Sequence, residues 1–314
     1  MDYSSVRRAL AGQPLYIHGP KLNELLALAE LRPKASVSSR AAKAQYPGGG
    51  AIAVIPIVGP ISHRSSPLSW LFGGVSTADI SGALRQVVAD PGISAIVLDI
   101  DSPGGDVAGV DELATEIYQA RQKKPVTALC NCLCASAAYY LASQASEIIA
   151  SPSSLTGSIG VYVVVEDDSR MLDKLGINLQ LIKYGDNKAD GAVGPLSDSG
   201  RDHLQKLVNT YGRAFEAAVA RGRGIKQSDV HDKFGQGHVF DARRAANLGM
   251  ADRVGTLDDA LKSLATSSGR RQAQMTAERR QLRMAAGGSP VTTAAQRRRA
   301  EFARMRHELE LARA

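Results

Sequence analysis

Apolar residues recur along this chain in two alternating periods. AIAVIPIVGPI (51–61), ISAIVLDI (93–100) and VTALCNCLC (126–134) are β-rich, largely apolar runs of the kind that form buried strands. TADISGALRQVVAD (77–90), DVAGVDELATEIYQARQ (106–122) and SAAYYLASQA (136–145) instead predict helices, with Thr77 as the N-cap of the first. EIIA (147–150) and SIGVYVVV (158–165) predict further strands. A helix over 168–175, a strand over 177–183, a glycine-rich loop and a long helix over 199–221 follow. FDARRAANLGMADRVG reads as helix, turn and strand, closing the unit near residue 265. Strands alternating with helices of about 10 to 15 residues predict an α/β fold of right-handed βαβ units around a mostly parallel sheet.

The flanks differ from this core. Residues 1–31 hold two helix-like stretches, the second (KLNELLALAEL) spacing Leu22, Leu25, Leu26 and Ala29 three and four apart, so they predict a helical preface. The stretch 32–50 is rich in Pro, Ser and Gly without a period and reads as a linker to a main domain over 51–265. Beyond it, 266–314 is an Arg-rich, helix-prone tail.

Charge changes the picture only at that tail. The net +7 of the chain looks like a nucleic-acid signature, yet eleven arginines against four glutamates from Thr266 onward account for all of it. The body is neutral, so a direct nucleic-acid requirement is not expected and any charge-driven partner binding belongs to the tail. MDYSSVRRALAG lacks the apolar run of a secretory signal, and no stretch reaches the length of a membrane span, which predicts a soluble intracellular protein. Cys130, Cys132 and Cys134, an odd number packed into CNCLC, are no disulfide framework and point to a reducing compartment. Strand period would set all three thiols on one face, but no second segment has metal-ligand spacing, so they are read as core-filling.

Four segments carry candidate chemistry. In DSPGG (101–105) a buried-type strand runs into paired glycines, which let backbone N–H groups approach a ligand or oxyanion; a plain βα turn would use the same residues. In CASAAYYLAS (134–143), Ser136 stands where a strand meets a helix, the place of a nucleophile backed by the N–H of Ala137, and equally the place of an N-cap. A serine nucleophile needs a base, and none of the six histidines is a compelling one. Lysine is the other route, provided that burial lowers its pKa from about 10.4 to about 7 or 8. Lys183 and Lys188, in LIKYGDNKADGAVGPLS, emerge near or beyond a strand end, where solvated lysines are also common. TGSIGVYVVV (156–165) adds Thr156, Ser158 and two glycines, hydroxyls that can orient an amine or satisfy a turn.

Together, and in this order, DSPGG, the serine of CASAAYYLAS, TGSIGV and the lysine of KYGDNKADG resemble the motifs of the signal peptide peptidase A family of serine peptidases, over about residues 50–260. The resemblance implies a ClpP/crotonase-type α/β fold, Ser136 as nucleophile, Lys188 as general base and Ser158 as the hydroxyl that positions the lysine amine. It further implies an oxyanion hole from Gly104 or Gly105 and Ala137, and no metal or organic cofactor. Ala137 and Ala138 stand where many members carry glycine, and Asp101 where Asn is frequent.

The helical preface, the basic tail and the Lys188-Ala189-Asp190-Gly191 form of the lysine loop resemble one branch, the capsid assembly proteases of tailed phages. That branch implies cleavage of scaffold and of major capsid or portal proteins, a homo-oligomer, no membrane span, and residence in the host cytoplasm and the immature prohead. The tail would then be a scaffold-like arm. Three rival readings remain: a cytosolic peptidase that degrades hydrophobic peptides, a crotonase-type acyl-CoA enzyme, and a non-catalytic assembly factor.

Overall fold

The computed structural model describes residues 13–22, 42–45, 51–64, 73–266, 274–279 and 281–282. Most of the predicted preface and tail lies outside these residues. The centre is an eight-stranded sheet built on three long parallel neighbours, β3 (Ala51–Val58), β6 (Ile93–Ser102) and β8 (Val126–Ala135). Period two decides what each face of β6 buries: Ile96, Leu98 and Ile100 join the main core, while Ala95 and Val97 join a smaller one. Helices α1 (Thr77–Ala89), α2 (Val110–Ala120) and α3 (Ala137–Ala142) cover the first face. On the second face Ala260 and Leu264 of α8 (Leu257–Ala265) pack, its start fixed by a capping box between Thr256 and Asp259. The expected α/β wiring is therefore present.

Towards its end β8 changes partners. Residues 127–130 pair with β9 (Glu147–Ala150), and 133–135 pair with β10 (Leu155–Gly157), which in turn meets β11 (Val239–Asp241) antiparallel. The β6–β8 register slips between Ile100 and Ser102, and this irregularity defeats the expected single thiol face: Cys130 and Cys134 are buried while Cys132 is exposed. A smaller sheet, in the order β1 (Leu15–Ile17), β7 (Gly104–Asp106), β4 (Ile61–Ser62) and β5 (Val75–Ser76), lies beside the end of β6.

Several local expectations change. Leu15–Ile17, inside the predicted helical preface, is a buried strand, because it pairs with Gly104–Asp106. Ala42–Gln45, inside the predicted linker, is an edge strand, β2, antiparallel to β3. The helix predicted from 106 starts only at Val110, after Gly109 in the left-handed region. Ser76, not Thr77, caps α1 by accepting from the Asp79 N–H at 3.0 Å. The strand predicted over 158–165 is absent apart from an isolated bridge at Tyr162; an unpredicted short strand ends at Gly157 instead, since Ser158 has φ 55° and breaks the ladder. Residues 177–183 form no strand: no strand among the described residues pairs with them, and Ile177, Leu179, Leu181 and Ile182 are exposed.

The long helix is confirmed as α5 (Asp198–Arg223), and its end is tied into the core. Arg223 makes two bonds to the Asp252 carboxylate, at 3.1 and 3.0 Å, and donates from Nε to the Gly249 carbonyl; Asp252 also accepts from the Ile148 N–H. Asp252→Ala strands a buried guanidinium and should cost about 3 to 5 kcal/mol, or about 10 °C in Tm. Replacing both partners with apolar residues, Arg223→Met with Asp252→Leu, should cost far less in the same melting experiment.

Candidate active site

Two parallel strands deliver two serines side by side. Ala135 of β8 is in register with Gly157 of β10, and each strand ends there, so the next residues, Ser136 and Ser158, leave the sheet about one strand spacing apart (~4.8 Å). The Ser136 N–H donates to the Gly157 carbonyl at 2.8 Å, and the Ser158 N–H to the His238 carbonyl at 2.7 Å. Both serines have positive φ, 57° and 55°, a conformation that costs a non-glycine residue about 1 to 3 kcal/mol. Both are buried, at 1% and 7% exposure.

This geometry gives the Ser136 side chain no capping role. A capping serine is extended and accepts from its helix, as Ser76 does; Ser136 sits at φ 57°, ψ −120° and makes no capping bond. Its hydroxyl is therefore not spent on the helix that follows. That short helix, α3, is held firmly: Tyr139 donates to the Met250 carbonyl at 3.0 Å and Tyr140 to Asp111 at 2.8 Å. Tyr140 also stacks with Tyr16 and Phe215, joining α3 to β1 and α5. Burial raises the pKa of Tyr140, helped by its bond to Asp111, so the phenol stays a donor.

The glycine turn closes on the same point. Gly104, at φ 94°, approaches α3 so tightly that a Cβ there would lie 2.9 Å from the Ala137 nitrogen and 3.0 Å from the Ala135 carbonyl oxygen. Ala137 opens α3, so its N–H has no intrahelical acceptor. The Gly104 N–H donates to Ser102 Oγ at 3.2 Å, which orders the turn from within. Ser136, Ser158, Gly104, Gly105 and Ala137 are thus gathered at one end of the sheet.

Lys188 is not among them. It lies on an exposed segment whose Ile182 and Tyr184 are 96% and 100% exposed, and its N–H bonds only locally, to the Gly185 carbonyl. Beside it, between this segment and the start of α5, is a hollow of about 810 Å³ lined by Leu172, Leu179, Leu196 and Leu204 with Asn187 and Asp190. Lys183, the other lysine considered, is exposed and donates to the Asp186 carbonyl. Sequence reasoning found no histidine compelling and so missed His18: its Nδ1 is 3.4 Å from Ser158 Oγ. The available signal was Leu15–Ile17, an apolar triplet bracketed by Pro14 and Gly19-Pro20. Among the described residues no cluster of His, Cys, Asp or Glu is arranged to hold a metal, and no helix is long and apolar enough to cross a membrane.

Comparison with known proteins bears on this site. The pattern of Peptidase family S49 matches residues 118–271. A protease-named protein of Synechocystis sp. is 34% identical over 204 residues, covering 63% of this chain and 72% of that protein. The chain belongs to peptidase family S49. The S49 match takes in Ser136, Ser158 and Lys188, while the glycine turn precedes it. Two phage proteins are similar at 34% identity: the head-tail preconnector protein GP5 of Enterobacteria phage P21, over 69% of this chain, and the capsid assembly protease C of Escherichia phage lambda, over 67%. The chain spans under half the length of each, 43% and 48%. Among solved structures, a Listeria monocytogenes ClpP1 variant aligns with 66% of this chain and 94% of its own at TM-score 0.42 and 13% identity.

Proposed function

We propose that this S49 chain is a serine endopeptidase that trims scaffold and other head proteins, major capsid or portal, during phage prohead maturation in the host cytoplasm. The observation that carries the reading is Ser136: buried, strained, uncapped, and set between the glycine turn and Ser158. The similarity to capsid assembly protease C supports the setting.

In this mechanism Ser136 Oγ attacks the scissile carbonyl carbon and its proton passes to the neutral amine of Lys188. The oxyanion accepts from the Ala137 N–H and from an N–H of the Gly104–Gly105 pair. Collapse breaks the C–N bond, and the leaving amine takes the proton back from Lys188. Water, deprotonated by the same amine, then releases the acyl group and restores Ser136. The cycle needs neither metal nor organic cofactor.

A lysine base must be desolvated, and in a single copy Lys188 is exposed. The exposed apolar side chains around it, Leu179, Leu181, Ile182 and Tyr184, are what a second copy would cover, so the reading places Lys188 against Ser136 of a neighbour in a homo-oligomer. The test is intact-mass analysis over time of the full chain co-expressed with scaffold and capsid proteins. Wild type should trim them. Ser136→Ala and Lys188→Ala should each be inert, and mixing the two inert variants should restore cleavage, since one intact serine can then meet one intact lysine. Head proteins that stay whole with wild type while binding it would instead make the domain an assembly factor. A mixture that stays dead while wild type cuts would place the base within one chain.

A further inference from the structure

We propose that His18 is a positioning residue of this site: it accepts the hydroxyl proton of Ser158 and so leaves the lone pairs of that hydroxyl facing the lysine amine. The inference rests on the Ser/Lys reading above and adds to it a residue from outside its motifs.

The main chain of β1 brings His18, the next residue, to the site. Leu15 and Tyr162 exchange backbone bonds at 3.0 and 3.4 Å, tying β1 to the segment just after Ser158. On its other edge β1 pairs with β7, and the His18 N–H donates to the Pro103 carbonyl at 2.8 Å, one residue before Gly104. His18 therefore touches the oxyanion turn with its backbone and Ser158 with its ring. Ser158 has its own N–H fixed on the His238 carbonyl, and His18 Nδ1 is the hydrogen-bond partner that the described residues offer its Oγ.

The chemistry follows from counting donors. A serine hydroxyl has one proton and two lone pairs. If the proton is free to turn, it can donate to the lone pair of the amine, the same lone pair that must receive the Ser136 proton, and the base is blocked. If the proton is held on a ring nitrogen, Oγ can only accept; the amine then donates one of its N–H groups to Ser158 and keeps its lone pair for Ser136. A neutral imidazole protonated on Nε2 supplies such an acceptor at Nδ1, and burial holds His18 below its ordinary pKa, in favour of the neutral ring.

The experiment measures the rate at which a fluorophosphonate probe labels the full chain, alongside Tm, for wild type, Ser136→Ala, His18→Leu, His18→Asn, Ser158→Ala and the His18→Leu/Ser158→Ala pair. His18→Leu should slow labelling about 10-fold, and His18→Asn, whose amide oxygen can stand in for Nδ1, should recover most of it. Because His18 acts through Ser158, the double variant should be no slower than Ser158→Ala alone. His18→Leu labelling at the wild-type rate, losses that multiply to about 100-fold in the double variant, or no rescue by a His18→Asn protein of wild-type Tm would each overturn the assignment. If wild type labels no faster than Ser136→Ala, the Ser/Lys reading falls and this inference with it, an outcome distinct from the other three.

Discussion

Ser136→Gly should give a protein that melts higher than wild type and does nothing. The residue is held at φ 57°, ψ −120°, which glycine adopts freely and any L side chain resists by about 1 to 3 kcal/mol. Against that gain stands the greater unfolded-state entropy of glycine, about 1 kcal/mol, so the net is expected near +1 kcal/mol, a Tm rise of about 2 to 4 °C. Ser136→Ala keeps the strained backbone and should melt close to wild type. If Ser136 is the nucleophile, as proposed, both lose it, and proteolysis of the proposed head-protein substrates should fall by about 10⁴-fold or more in each. The melting order Gly above Ala, together with two dead enzymes, separates strain held for catalysis from strain without purpose. Measurable cleavage by either variant would remove Ser136 from the nucleophile's place, and a Ser136→Gly protein that melts below the alanine variant would refute the strain argument.

The repeated βαβ body was legible because its strands are buried on both faces and its helices on one, so that two periods alternate visibly from residue 51 to 150. Ser136 and the glycine turn were legible as motifs because each follows a long strand that burial makes conspicuous, whereas Ser158 was read at the start of a strand and in fact follows one of only three residues. What escaped is of another kind. β1 and β7 have three residues each, too few for a period, and β7 is Gly-Gly-Asp, with no apolar side chain to announce it. The strand expected over 158–165 was misplaced because alternation cannot register a backbone at positive φ. Over 177–183 the apolar residues were visible but their exposure was not: a hydrophobic run signals burial, and period alone does not say what covers it. His18 was overlooked for the same reason as β1, since its role comes from pairing across 140 positions with Ser158.

Gly105→Ala should be the most damaging single methyl group that can be added to this chain's active-site turn. Its Cβ would fall on the Ile61 carbonyl, with the Ile61 carbonyl carbon at 2.6 Å and nitrogen at 2.7 Å, all backbone of the neighbouring strand, so no side chain can move aside. β7 is pinned from both edges, by Ile61 on β4 and by Leu15–Ile17 on β1, so relief requires opening the small sheet. A loss of about 4 kcal/mol or more is expected, seen as a collapse in soluble yield or a Tm drop beyond about 8 °C. Gly104→Ala meets a different obstacle, the Tyr16 carbonyl and the Ala137 nitrogen, at φ 94°. It should push the turn away from α3, and any protein that folds at low temperature should label with fluorophosphonate about 10²-fold or more slowly, the scale of a lost oxyanion donor. Gly212→Ala is the control: it lies in α5 with open space around its Cβ and should stabilise by about 1 kcal/mol. A Gly105→Ala protein that melts like wild type would mean that β7 can leave β4 at little cost. The glycines would then be needed only for the freedom of the turn. The distances argue instead that they are needed because three backbones, β1, β4 and the start of α3, converge on β7 where side chains would otherwise stand.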